Sequence, residues 1–269
     1  MEENNLITCL NCGTEFHGKY CPECGQRADT ERFTIKWIFQ NLIMSFLSID
    51  GGVWITIKSL FTRPGQMMVD ILNGKRKKYF SPFPMLFLVL SFYVLIFTFT
   101  GSERSKIDQY SLNNDTEIVA AEAELDDEDV LDEEFNEGFI WFFELYSSHY
   151  TTIYILSIPI FVFCARICFG KRNRRRYYWG EYSIPIIYSL IIIIFYRCLT
   201  SIAFYFSPDI ADKMTSFNPI LSILAISACF KKMLEFSVVK TIWRSILLYG
   251  IYSVILVFLI IGIVAIYTF

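Results

Sequence analysis

Four cysteines near the start of the chain carry its most specific chemistry. They come as two pairs, Cys9-x-x-Cys12 and Cys21-x-x-Cys24, with eight residues between the pairs. Thiolates at this spacing can close a tetrahedron around one metal ion. A site made of four cysteines leaves a bound Zn2+ no open position, so the expected metal is structural and not catalytic. Gly13 and Gly25 follow the second cysteine of each pair, where the chain must curl around the metal. Residues 1–30 are therefore expected to form a zinc ribbon.

Two other uses of the motif are weaker. The Cys21-Pro22-Glu23-Cys24-Gly25 knuckle also resembles that of rubredoxin, an iron protein, but eight residues between knuckles leave little protein to shield an electron-transfer site. A thioredoxin-type Cys-x-x-Cys needs a β-α-β pattern around it, which the flanking sequence lacks. Glu2, Glu3, Glu15, Glu23 and Asp29 face only Lys19 and Arg27 in this head. Nucleic-acid binders need surplus cations, so the balance argues against nucleic acid and leaves a protein partner as the expectation. Phe16, His17 and Tyr20 between the knuckles are either a small contact surface or a cover for the metal. The second use is favoured because so small a ribbon needs them as core.

The elements that must position this head are mostly membrane helices. The chain is 54% hydrophobic with a mean hydropathy of +0.41, more apolar than soluble domains of its length. About five spans are expected: Pro84–Gly101, Thr151–Phe169, Ser183–Phe206, a weaker one at Phe217–Phe230, and Ser245–Phe269. The fold class is thus mainly α, a polytopic helical membrane protein with a small ribbon at its N-terminus. The polar first 30 residues contain no apolar signal-peptide core, so the first span is expected to direct insertion.

Charge sets the expected orientation. Residues 101–148 hold 15 acidic and 2 basic side chains, against 12 and 22 in the remainder. Lys75, Arg76, Lys77 and Lys78 precede the first span. Lys171, Arg172, Arg174, Arg175 and Arg176 separate the second and third, and Lys231, Lys232, Lys240 and Arg244 the fourth and fifth. Cytoplasmic loops carry such excess, which predicts a multi-pass inner-membrane protein with a cytoplasmic ribbon, an external C-terminus and an acidic external loop over 101–148. The acidic loop has no calcium-loop signature and reads as a solvated spacer.

Residues 31–80 read as juxtamembrane amphipathic helices. Thr34–Asp50 places Ile35, Ile38, Phe39, Leu42, Ile43, Phe46 and Ile49 on one half of a helical wheel. Its length of about 24 Å is short for a bilayer core of about 30 Å. It is expected to lie in the interface or against other helices. Asp50-Gly51-Gly52 ends it, Val53–Phe61 is a second apolar stretch, Arg63-Pro64-Gly65 opens another short helix, and Asn73-Gly74 stops that one. The adjacent cations Lys75–Lys78 enforce topology and are suited to anionic lipid head groups.

The Cys-x-x-Cys-Gly head, the Thr62-Arg63-Pro64-Gly65 turn and Gly74-Lys75-Arg76-x-x-Tyr79-x-x-Pro82 together resemble the bacterial membrane proteins of domain-of-unknown-function family 3667. The resemblance covers about the first third of the chain. It implies a bacterial membrane protein with a cytoplasmic zinc ribbon, and it implies no reaction and no further site residues.

Within the spans, Arg197 is the residue to weigh. A central Arg costs about 2.5–3.5 kcal/mol to insert, so it should face protein or water, or snorkel to an interface. His17 and His149 are the only histidines and fall on opposite sides of the predicted topology. No nucleotide loop, nucleophile elbow or metalloprotease helix is present, which lowers the expectation of an enzyme. The expected function is a membrane-anchored scaffold, interaction or sensing protein that docks on a lipid bilayer and a protein partner. A small-solute transporter or channel using Arg197 is the alternative, and a membrane enzyme acting on lipid is the third reading.

Overall fold

The computed structural model describes residues 6–30, 32–34, 52–100, 157–170 and 177–268. Residues 35–50 of the predicted Thr34–Asp50 helix, the acidic loop with His149, and the basic loop at 171–176 lie outside them.

The ribbon carries one short antiparallel pair, β1 (Ile7–Thr8) and β2 (Glu15–Phe16), in the register Ile7 to Phe16 and Thr8 to Glu15. Two short helices follow, α1 (Gly52–Thr62) and α2 (Pro64–Leu72). Pro64 occupies the first turn of α2, where its missing N–H has no intrahelical acceptor to lose. Gly74, at φ +95°, takes the left-handed conformation just beyond the helix end, so the predicted stop is real.

The remaining helices are α3 (Pro82–Thr100), α4 (Ser157–Gly170), α5 (Trp179–Phe206), α6 (Pro208–Ser216), α7 (Asn218–Leu234) and α8 (Val238–Thr268). Three of them, α3, α5 and α8, are long and apolar enough to cross a membrane. The weak predicted span at 217–230 is α7, which meets α6 at a 47° bend; together they form a fourth, broken span or a re-entrant loop. The span expected at Thr151–Phe169 is described only from Ser157, as an apolar helix. The chain is thus a polytopic helical membrane protein with three to four candidate spans among the described residues.

The 19 residues of α3 rise about 28 Å, a match for a bilayer core of about 30 Å. Helix α5 is longer, at 28 residues. The Tyr188 hydroxyl donates to Phe80 O (2.6 Å), so α5, at its tenth residue, meets the start of α3. Residues 179–187 therefore extend past the start of α3, on the side where the ribbon lies. There α1 and α2 join the same apolar core as the spans: Leu60, Met67, Met68 and Ile71 are buried with Met85, Tyr188 and Phe230.

Phe80 is the joint. Its N–H donates to Thr56 Oγ1 (2.8 Å) of α1, and its carbonyl accepts from Tyr188 of α5. Thr56 in turn donates to Gly52 O (2.7 Å). One backbone unit at the mouth of α3 is thus held by side chains from two other helices. A second tight point is Gly180, where an added Cβ would run into the backbone of Phe33 and Thr34. Gly180→Ala is expected to cost about 1–3 kcal/mol, because backbone cannot step aside as a flexible side chain can. Thermal unfolding of the detergent-solubilised protein checks this; an unchanged midpoint would mean that the Phe33 segment is not seated there.

Candidate metal centre and its seat on the helices

The two cysteine knuckles repeat one backbone pattern. In the first, Cys9 N–H donates to Thr14 O (2.9 Å) and Gly13 N–H to Cys9 O (2.9 Å). In the second, Cys21 N–H donates to Gln26 O (2.8 Å) and Gly25 N–H to Cys21 O (2.9 Å). Gly13 and Gly25 sit at φ +83° and +70°, a conformation that costs other residues about 1–2 kcal/mol. β1 and β2 flank the first knuckle, and a bridge between Tyr20 and Arg27 flanks the second.

This geometry turns the four sulfurs inward. All four Sγ atoms lie within 4.8 Å of one another, with Cys9–Cys24 at 3.6 Å and Cys12–Cys21 at 3.5 Å. A tetrahedron of metal–sulfur bonds of about 2.3 Å has edges of about 3.8 Å, so the cluster has the size of a four-thiolate metal site. Disulfide bonds would bring sulfurs to about 2.05 Å, and these cysteines are free. Hydrogen bonding with the side chain and backbone of Thr14 pulls the Cys12 thiol down to about 6, whereas burial pushes Cys24 up to about 11. The thiols do not ionise together unaided; a cation at their centre is the group that would draw off the remaining protons. Phe16 is buried with Cys9 and Cys21 and is core, as expected, while Tyr20 is 61% exposed.

The ribbon is seated on the segment that leads into α3. Gln26 Oε1, on a buried side chain, accepts the backbone N–H groups of Arg76 (3.2 Å) and Lys77 (3.3 Å). Asn11 Oδ1, inside the first knuckle, accepts Lys78 N–H (3.2 Å). Leu10 lies over Gly74 so closely that an added Cβ would stand 2.7 Å from its Cδ1. Each knuckle thus grips the same short strand of irregular backbone, residues 75–80, whose donors take partners outside helix and sheet; Lys75 N–H donates to Asp70 O (3.0 Å) and Arg76 N–H also to Gly74 O (2.9 Å).

The side chains of that strand point to a different partner. Asp70 on α2, with its side chain only 9% exposed, accepts from Tyr79 OH (2.9 Å) and Gln66 Nε2 (3.0 Å), and pairs with Lys75 (3.3 Å) and Lys78 (3.8 Å). Burial works against ionising this carboxyl, but the bonds from Gln66, Tyr79 and Lys75 outweigh it and hold Asp70 below the usual range. Burial and the neighbouring carboxylate push Tyr79 up to about 12. The Arg76 guanidinium lies over the ring of Phe33 at 4.1 Å. Lys75 and Lys78 keep 39% and 38% of their side-chain surface exposed while paired.

The strand, its carboxylate and the turn before α2 all fall within residues 50–94, which match the family model described as a protein of unknown function (DUF3667). The match covers 45 of the 269 residues. It includes the Arg63-Pro64-Gly65 turn, the Gly74–Pro82 stretch and most of α3, and bears out the family resemblance of the sequence. The four cysteines lie before the DUF3667 match, and it is their neighbours Leu10, Asn11 and Gln26 that contact it. Comparison with curated proteins and with solved structures gives no match.

A second tie holds the chain just after the ribbon. Arg32 makes a two-pronged contact with Glu181 of α5, Nε to Oε1 and Nη2 to Oε2, both 2.8 Å. Glu181 is 2% exposed and also accepts Tyr178 N–H (2.8 Å). A buried carboxylate at the start of a span needs such a partner.

Arg197 is half-buried on α5, nine residues before its end, and its carbonyl accepts from Thr200 Oγ1 (2.9 Å). It is not brought to the cysteines or to the basic strand. Arg166, at the end of α4, donates to Tyr177 O (3.1 Å) and stacks over Trp179. The sequence reading missed Asn11, Gln26, Asp70, Glu181 and Arg32. Asp70 and Glu181 carried a usable signal, each being a lone acid on an apolar helix beside a basic stretch. Asn11 and Gln26 carried none, since polar residues in or just after a knuckle are ordinary.

Proposed function

We propose that this protein is a membrane-anchored scaffold or sensor whose ribbon holds Zn2+ as a structural metal on the cytoplasmic face. The observation that supports it is the grip of both knuckles on the backbone of 76–78. A metal that closes the knuckles also positions Asn11 and Gln26, and through the strand it reaches Phe80, Thr56 and Tyr188. Leu6, His17 and Tyr20 of the ribbon are all exposed and open to a protein partner.

The test is metal analysis and mild-detergent affinity purification of the full chain, beside a variant with Ser at Cys9, Cys12, Cys21 and Cys24. The expected result is one zinc per chain and a set of partners that only the native protein retains. Iron in place of zinc, or an identical partner list at matched membrane abundance, would overturn the proposal. Gly74→Ala separates seating from metal binding. It imposes a strained φ, about 1–2 kcal/mol, and displaces Leu10. The zinc content should stay while hydrogen exchange at the 76–78 amides rises.

A further inference from the structure

A groove of about 590 Å³ opens between α1, α3, α5 and α7. Its walls include Ile57 and Phe61 of α1, Leu88 and Phe92 of α3, Phe195 of α5 and Leu221 of α7. The volume falls in the ~300–1,000 Å³ range of small-ligand sites. Helices α3 and α5 are long and apolar enough to cross a membrane, so lipid hydrocarbon is the medium expected around the groove.

The helix that forms one wall also supplies a polar edge. Val53, Ile57 and Phe61 recur every four residues and line the groove along one stripe of α1. The next stripe, one residue on, carries Trp54 and Lys58, both exposed. Among the described residues no carboxylate pairs with Lys58. Gly52, at the start of α1, packs against the backbone of Lys78 to Phe80, so this end of α1 lies by the chain that enters α3. An exposed Trp and a long cationic side chain on an amphipathic helix at the mouth of a span suit the head-group level of a bilayer.

We propose that the groove is a binding site for an anionic phospholipid, with one acyl chain against Leu88 and Phe92 and the phosphate at Lys58. The charge complementarity comes from Lys58, and the apolar walls leave a chain as the occupant. This site is separate from the ribbon and from the cations of the basic strand, and it stands whether or not the ribbon docks a partner.

The test uses the full-length protein in mixed phosphatidylglycerol–phosphatidylcholine vesicles. A trace of either lipid carries a diazirine in its acyl chain, and the photolabelled residues are mapped by mass spectrometry. The expected label concentrates on Leu88, Phe92 and Leu221. Phosphatidylglycerol should label them about fivefold more than phosphatidylcholine, the effect of one cation at a membrane surface, and Lys58→Gln should bring the two to parity. Lys58 is exposed, so the variant is expected to fold as the native chain does. Label spread evenly over the groove and the exposed Val254 and Phe258 of α8 would mean annular lipid only and overturn the proposal. A head-group preference unchanged by Lys58→Gln would overturn it as well.

Discussion

Replacing Cys21 by Ser is expected to unfold the ribbon and free the 76–78 amides while leaving the helical bundle assembled. The apolar core of the ribbon is little more than Cys9, Phe16 and Cys21. Ordering a residue costs about 1–2 kcal/mol in backbone entropy alone, so such a core cannot hold the ribbon closed. A structural four-thiolate metal contributes roughly 10–16 kcal/mol at neutral pH, and losing a ligand removes most of it. Gln26 then no longer has a fixed position from which to accept Arg76 and Lys77, nor Asn11 to accept Lys78. Hydrogen exchange of the full chain in detergent should show rapid exchange across 6–30 and at 76–78, with the α3 and α5 amides still protected. A chelator should reproduce the pattern in the native chain. Protection at 76–78 that survives both treatments would show that the strand does not depend on the ribbon.

Asp70→Asn is expected to lower stability by about 2–3 kcal/mol, the scale for losing charged hydrogen bonds to a buried carboxylate. The carboxylate accepts from Tyr79 and Gln66 and neutralises Lys75 and Lys78; an amide keeps one acceptor and no charge. The pH dependence identifies the group. The folded-state pKa of Asp70 lies below its ordinary 3.8, so its stabilisation is present above that value and fades as pH falls through the lowered one. Tyr79 is raised from 10.0 to about 12, so the neutral phenol favours the folded state below pH 10 and that contribution is lost as pH rises through 12. The melting temperature of the native protein should fall at both extremes. In Asp70→Asn the acid limb should shrink. An acid limb of the same size in the variant would place its origin elsewhere.

How much of this was legible beforehand depends on whether a feature is local. The helix break at Gly74, Pro64 at the head of α2, and the apolar runs of α3 and α5 follow from short stretches of chain, and they appear where the sequence put them. The weaker run near 217–230 was harder. Its 17-residue helix is short for a span, and the polar α6 before it turns through 47°, a geometry that hydropathy does not report. Lys75–Lys78 looked from sequence like free cations for a head group, whereas Lys75 and Lys78 also meet a carboxylate on the preceding helix.

The sequence by itself determined which four thiols cluster and the membrane class. Thiol spacing and glycine positions act over a few residues, and span length is set by bilayer thickness. Only the tertiary structure decided what the ribbon grips. That depends on backbone N–H groups 50 to 67 residues away in the chain finding Asn11 and Gln26, and on Glu181 finding Arg32 across 149 positions. Such pairings are chosen by the need to satisfy buried polar groups in three dimensions, and no local spacing encodes them.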